Sequence, residues 1–336
     1  MLAKIFSGVT IGLDGVLIEV EVDVAQRGLP TFIIVGLPSK AVDESKDRVR
    51  TAIINSSFDI PESRVTINLA PADIPKEGSS FDLPIAVGIL AASGAISQEL
   101  LETSLFIGEL SLEGIVREVN GIISIAVMAK KKKLKNIFLP TKNTIEASLV
   151  EGINIYPVSK LTDLVLHLNG YKKIQISERQ LIEDQLTEED FEFDYRDIKG
   201  QEHAKRAFEI AASGFHHIHI KGPPGAGKTM LSRGFPSLLP SLQKEEILEV
   251  TKIYSVSGLI KNKKYITSPP FRSPHHTTSK IGLIGGGTIP KPGEISLAHR
   301  GVLFLDELPE FPRSTLEALR QPIEDGSISI SRASGS

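Results

Sequence analysis

The sequence predicts an α/β protein of two domains. Three observations predict it. The 336 residues are 41% hydrophobic and 24% charged, which is enough for two separately buried cores at roughly 100–200 residues per domain. Short β-branched runs alternate with helical periodicities over the first half, and a strand, a glycine-rich turn and a helix follow one another near residue 220. Between these parts, residues 174–196 carry eight acids against two bases and no apolar periodicity, so they read as a linker. The spans are therefore 1–173, 174–196 and 197–336.

In the first span, Thr31–Val35, Arg64–Leu69 and Ile137–Leu139 read as strands, because β-branched residues bounded by Gly, Pro or Asp favour a pleated surface. Lys40–Asn55 places Val42, Val49, Ala52 and Ile53 near one helical face. Leu83–Ala95 is apolar nearly all round, which predicts a buried helix. Lys130–Lys135 (KKKKLK) reads as a solvated helix end, with a phosphate contact as the functional alternative. In the last span, Lys199–Ala212 reads as a helix, Phe215–Ile220 as a strand with Ile218 and Ile220 alternating, and Gly301–Leu305 as a second strand. No internal repeat is evident.

Composition excludes several classes. No apolar run approaches the ~18 residues that cross a bilayer, and the start lacks an uninterrupted apolar stretch and a small-residue cleavage site. A cytoplasmic chain without a membrane partner is the expectation. With no cysteine there is no disulfide, thiolate nucleophile or cysteine-ligated metal in these residues. From 197 onward, 18 Lys and Arg stand against 13 Asp and Glu, a balance that permits polyanion binding without demanding it.

Gly222-Pro223-Pro224-Gly225-Ala226-Gly227-Lys228-Thr229 matches G-x-x-x-x-G-K-[ST] in full. A triphosphate carries several negative charges and must be held by backbone N–H groups with no side chain in the way, which glycines at 222, 225 and 227 allow. Lys228 supplies a point charge for the terminal phosphates, and the Thr229 hydroxyl is a ligand for Mg²⁺. A helix opening near Lys228 turns its positive dipole end toward them. Gly301–Leu305 then runs into Asp306 and Glu307. Asp306 suits the magnesium water shell and Glu307 suits polarisation of an attacking water. ATP and Mg²⁺ are the expected ligands.

These words, with Asp197–Gln201, Phe271–Thr277, Gly282–Gly287, Pro292–His299 and Gln321–Asp325, and in the first span Gly36–Pro38, Glu44–Arg50 and Asn68–Gly78, resemble the magnesium-chelatase-like AAA+ ATPases of the YifB/ComM family. The resemblance implies a P-loop AAA+ three-layer αβα domain behind a Lon-protease-like domain of the ribosomal S5 domain 2-like fold. It puts Ile198, Gly200 and Gln201 at the adenine. It implies an extra β-hairpin or helix over about 270–297 facing a ring pore, with Lys280 and Lys291 as its DNA-phosphate candidates. It further implies a homo-hexameric ring that moves DNA as a helicase or branch-migration motor in recombination or natural transformation. The alternatives are a motor that remodels a protein partner and an inactive ATP-binding fragment. The family pattern also continues beyond Arg332–Ser336 with a sensor asparagine, an arginine finger, a C-terminal lid and a cysteine-rich turn. For these 336 residues the expectation is therefore an incomplete AAA+ core, with ATP binding safer than hydrolysis.

In the front domain, Pro75–Ser80 (PKEGSS) falls where Lon-type proteases carry their nucleophile, and Ser80 aligns with the serine. The family's lysine base falls at Ile123, within Asn120–Ile123, and isoleucine accepts no proton. A scaffold or partner surface is the expectation rather than a peptidase. His275 and His276 read as loop hydrogen-bonding groups near the nucleotide or pore, and His217 and His219 as packed residues rather than a zinc site.

Overall fold

The computed structural model describes residues 1–76, 78–178, 193–260, 265–287 and 290–328. The chain divides into two compact units, Met1–Gln180 and Leu181–Ser336. Most of the acidic stretch read as a linker, residues 179–192, lies outside the described residues, as do residues 329–336.

The first unit opens with a strand pair, β1 (Leu2–Ile11) and β2 (Asp14–Val24), in antiparallel register from Leu2↔Asp23 to Ile11↔Asp14. β3 (Thr31–Val35) and β4 (Arg64–Ala70) pair in parallel, and β4 adds antiparallel to β2. β5 (Ser104–Phe106), β8 (Asn136–Pro140) and β9 (Asn154–Val158) extend the sheet in parallel from β1, giving the order β3-β4-β2-β1-β5-β8-β9. A small hairpin of β6 (Glu109–Leu110) and β7 (Val116–Arg117) stands beside it. The β1–β2 pair is not among the strands read from the sequence, although Ile18, Val20 and Val22 alternate with Glu19, Glu21 and Asp23 and are fully buried. In β1 the buried Ser7 and Gly8 interrupt the apolar alternation, which hides the period.

The helix expected over 40–55 forms as α1 (Lys40–Asp43) and α2 (Ser45–Asn55), with a break at Glu44. Its predicted face, Val42, Val49, Ala52 and Ile53, is fully buried. The all-apolar stretch forms α3 (Asp82–Ala92), every residue of which is buried. It lies so close to β2 that a Cβ on Gly88 would come within 2.5 Å of Val22 Cγ2. On the opposite face, α4 (Ile122–Lys131) presses against Gly15, where a Cβ would meet the Ser124 carbonyl at 2.4 Å. The sheet is thus covered on both faces by helices that need glycines for their approach. α5 (Thr144–Ala147) and α6 (Leu161–Leu168) complete the unit.

The second unit carries α7 (Glu202–Gly214), α8 (Lys228–Gly234), α9 (Lys244–Val256), α10 (Lys280–Ile284), α11 (Glu294–Leu297), α12 (Arg313–Ala318) and α13 (Arg320–Asp325). Its described strands form two short ladders. β10 (Phe271–Arg272) runs parallel to β13 (Val302–Leu303), and β11 (Gly285–Gly286) pairs antiparallel with β12 (Lys291–Pro292).

Four expectations need correction here: His217 and His219, read as packed, are exposed; the strand read over Gly301–Leu305 pairs only over Val302–Leu303; and two more concern the start of the unit. The helix read from Lys199 starts three residues later, because Gly200 and Gln201 adopt φ of 71° and 62°, which no α-helix accommodates. The strand read over Phe215–Ile220 makes no ladder among the described residues. Phe215 itself sits at φ 52°, and a strand exists only through hydrogen bonds to a neighbour. The apolar alternation still serves packing, since Ile218 and Ile220 lie against the cluster of Tyr195, Ile198, Phe208 and Leu231. A continuous three-layer sheet is accordingly not formed by the described residues of this unit. No described helix is long and apolar enough to cross a membrane.

One buried ion pair knits the first unit. The Asp82 carboxylate, wholly buried, accepts from Arg48 Nε at 2.9 Å and Nη2 at 3.1 Å, and from the Leu110 backbone N–H at 3.2 Å. Arg48 also donates to Ser45 Oγ and the Ala41 carbonyl. α2, the start of α3 and β6 are thereby joined at one carboxylate. Burial pushes the Asp82 carboxyl above the ordinary aspartate range against the pull of Arg48, so the pair specifies register more than it adds stability. Asp82→Ala is expected to destabilise this unit by about 3–5 kcal/mol, because it leaves the guanidinium without its partner. Asp82→Leu combined with Arg48→Met should recover most of that loss. Urea unfolding monitored by circular dichroism separates the two outcomes.

Candidate functional site

The glycine-rich loop of the second unit is curled by its backbone angles. Gly225 and Gly227 have φ of 76° and 83°. A Cβ at either position would meet open space, so the angle and not crowding requires glycine. Gly227 then leads directly into α8, whose first residue is Lys228. The Lys228 ammonium folds back and donates to the carbonyls of Gly222 at 2.9 Å and Pro223 at 2.8 Å. A cation held on the loop's own carbonyls, above a cradle with room inside it, fits a phosphate group that would replace those acceptors.

Opposite the helix start stands the end of β13. The Thr229 hydroxyl donates to Asp306 Oδ2 at 3.5 Å, although 77 residues separate them. A hydroxyl and a carboxylate facing each other at an exposed position are hard oxygen donors of the kind Mg²⁺ takes. The Glu307 backbone N–H donates to Asp306 Oδ1 at 3.0 Å. Glu307 itself holds φ 52°, an uncommon value for a non-glycine residue. That turn points its carboxylate toward His276, with Nδ1 and Oε2 3.5 Å apart. The His275 ring lies against that of His276, tilted by 36° with centroids 4.0 Å apart, and shares a 2.9 Å hydrogen bond with Thr277. The His276–Glu307 contact was not legible as a pair. The available signal was that β10 leads into His276 beside the strand that ends in Glu307.

The residues assigned to the adenine surround the same loop. Gln201 Nε2 donates to the Ala226 carbonyl at 3.3 Å, and Lys205 caps the Ile198 carbonyl at 2.5 Å. Ile198 is buried against Leu231 of α8. Gly200 sits in the left-handed turn that swings Gln201 toward the loop.

The segment beyond β10 contains both a helix and a hairpin. Ser279 caps α10 by accepting from the Gly282 N–H at 3.1 Å, and Gly285↔Pro292 and Gly286↔Lys291 pair across β11–β12. Lys280 opens α10 and Lys291 lies on β12, both exposed. Two ion-pair groups anchor the segment. Arg272 makes a bidentate pair with Glu294, both bonds 2.7 Å. Arg300 spans Glu246 and Glu249 of α9 at 3.1 Å each, with His299 on Glu249 at 3.2 Å. Burial would raise the Glu249 carboxyl, but the hydrogen bonds from His299 and Arg300 prevail and hold it below its ordinary value.

In the first unit, the serine motif is occupied by structure. Ser79 Oγ donates to Glu109, which also pairs with Arg117. The Ser80 carbonyl accepts from the Gly108 N–H at 3.0 Å. Ile123 is fully buried. Lys76 is also buried; its ammonium donates to the Pro71 carbonyl, and burial lowers its pKa.

Two family descriptions match the chain: "Magnesium chelatase, subunit ChlI" over residues 194–336 and "Subunit ChlI of Mg-chelatase" over residues 20–143. The competence protein ComM of Haemophilus influenzae is 47% identical over 336 residues, 99% of this chain and 65% of that protein. The protein YifB of Escherichia coli is 45% identical over 331 residues, 98% of this chain and 64% of its own length. The Lon protease of Mycoplasmopsis agalactiae is 27% identical over 184 residues, half of this chain and 18% of that protein. The chain thus spans a little under two thirds of ComM and YifB.

Lys228→Ala should weaken binding of a fluorescent ATP analogue roughly ten- to hundredfold, the loss expected for one charge-assisted contact, with the helical circular dichroism unchanged. Ser80→Ala should leave peptide hydrolysis at the background of the parent chain. A peptidase activity that disappears with this substitution would overturn the reading of Ile123.

Proposed function

The chain belongs to the magnesium-chelatase-like AAA+ family that includes ComM and YifB, and from that premise we propose that it is the nucleotide-binding part of a ring-forming motor that moves DNA in recombination or natural transformation. The observation that carries the nucleotide reading is the approach of Thr229 to Asp306 beside the curled loop and Lys228. In this reading the backbone of 222–229 and the Lys228 ammonium hold the phosphates, and Thr229 and Asp306 hold the magnesium ion and its water. Ile198, Gly200 and Gln201 flank the base.

Magnesium ATP, when bound, supplies the phosphoanhydride bond whose cleavage drives the cycle. The protein's own contribution is orientation and charge. Lys228 exchanges its carbonyl acceptors for anionic oxygens. Glu307 accepts the proton of an attacking water, and its strained turn fixes the direction of the carboxylate. Adjoining copies in a homo-hexameric ring contribute the cationic group that stabilises transferred charge, which in such motors raises turnover by several orders of magnitude. Lys280 and Lys291 face the DNA from the insert.

Support for DNA as the substrate comes from the relative named a competence protein and from the basic excess after residue 197. In the full-length protein, Glu307→Gln should retain ATP-analogue affinity within about twofold and lower turnover by at least about a hundredfold, the scale of a lost general base. Undiminished phosphate release would remove Glu307 from its role. Binding to forked or four-way DNA should weaken with salt, with a slope of about −0.9 in log affinity per phosphate contacted on duplex.

A further inference from the structure

We infer that the lysine cluster at the end of α4 is a second DNA-backbone contact, on the first unit and separate from the insert of the second. The choice of DNA as the polyanion rests on the function proposed above; the cluster itself rests on the fold. Lys130, Lys131, Lys132, Lys133 and Lys135 are all exposed. None of them makes an ion pair among the described residues.

Folding alone does not call for this arrangement. α4 is secured by its other face, where Ile122, Ile123, Ile125, Ala126, Met128 and Ala129 are buried. One or two lysines in the last turn satisfy the helix dipole. Five like charges in six residues repel one another, and no ion pair to them is made among the described residues. Lys133 adds a second anomaly. It occupies the left-handed position after the helix, φ 61°, where glycine or asparagine is the stable choice. A lysine retained there forgoes stability for its charge.

The backbone beneath the cluster is fixed. The Lys135 N–H donates to the Thr103 carbonyl at 2.9 Å, and the Lys135 carbonyl accepts from the Asn154 N–H at 2.9 Å. Below them Asn136 bridges Ser104 and Asn154 through hydrogen bonds of 3.2 and 3.1 Å. The ammonium groups therefore project from a rigid platform at the shared end of β5, β8 and β9, which reduces the ordering cost of binding.

The chemistry favours a phosphate polymer. Duplex DNA presents one charge per ~1.7 Å of axis, so a cluster of this extent meets several phosphates together. An anionic membrane is disfavoured because the apolar face of α4 is already buried in the core, leaving no wedge to insert beside the lysines.

The test uses full-length protein with Lys131, Lys132 and Lys133 all changed to Gln, and a second variant with all three changed to Arg. Salt titrations of binding to a four-way DNA junction and to a duplex give the slopes. The Gln variant should lose about 0.9 in slope for each contact removed and at least about tenfold in affinity near 0.1 M salt. The Arg variant should match the parent. Affinity for the ATP analogue should stay the same in all three, and the thermal midpoint of the Gln variant should be no lower than the parent's. If the parent binds DNA and the Gln variant binds equally well with the same slope, the cluster is not a contact and the DNA reading stands without it. If the parent shows no salt-dependent DNA binding, both fail. If the Gln change abolishes binding to phosphatidylserine vesicles and not to DNA, the surface is a membrane contact and the inference is overturned.

Discussion

Two oxygen atoms 3.5 Å apart constrain the second unit more than any other contact. The Thr229 hydroxyl stands at the first turn of a helix and the Asp306 carboxylate at the end of a strand. Each alone is ordinary. Their meeting requires the glycine loop to curl so that α8 starts where it does, and requires β13 to stop facing it. The curl comes from φ values that side-chain-bearing residues resist. β13 itself ends at Leu303, and at the left-handed turn of Glu307 the Asp306 Oδ1 accepts from the next N–H. Any change that straightens either turn separates the pair, and with it the only hydroxyl–carboxylate apposition at this loop among the described residues.

Much of this was legible because it depends on local rules. Gly225 and Gly227 mark left-handed backbone that glycine alone adopts freely, and the run Gly301–Leu305 before two acids marks a strand, although it pairs only over Val302–Leu303. The fully buried α3 could be read from the absence of any polar face, and Val42, Val49, Ala52 and Ile53 from their period. What resisted reading was non-local. The β1–β2 pair is obscured by Ser7 and Gly8, small residues whose reason for being there is the approach of a helix from elsewhere in the chain. The apolar residues before the loop promised a strand, but strand formation depends on a partner that no local pattern reveals. The Asp82–Arg48, Glu294–Arg272 and Glu307–His276 pairs span 34, 22 and 31 residues. No residue in them advertises its partner.

The first unit sets its serine segment in a hydrogen-bonded framework. Its likeness to Lon proteases is partial, at 27% identity over 184 residues with one of them. The serine segment is present, and several described groups around it have a structural use. Ser79 donates to Glu109, Asp82 gathers Arg48 and the Leu110 N–H, and the position that would carry a lysine base carries a buried isoleucine. A nucleophile needs a nearby proton acceptor held at hydrogen-bond distance. Ile123, where the resemblance to Lon proteases puts the base, has no group that accepts a proton. Such a framework is rigid, and a rigid surface is what a partner contact requires.

The segment from 271 to 300 ties the surroundings of Glu307 to the rest of the second unit. It begins in β10, the neighbour of β13, which ends three residues before Asp306, and three residues after His276 it caps α10 through Ser279. It then forms the β11–β12 hairpin and returns to β10 through the Arg272–Glu294 fork. The two ends of the excursion are thus clamped together by a bidentate pair while its middle projects with Lys280 and Lys291 exposed. His276 touches the Glu307 carboxylate from inside this clamped loop. A change in the direction of that carboxylate alters a contact of the same short segment whose far end is the hairpin.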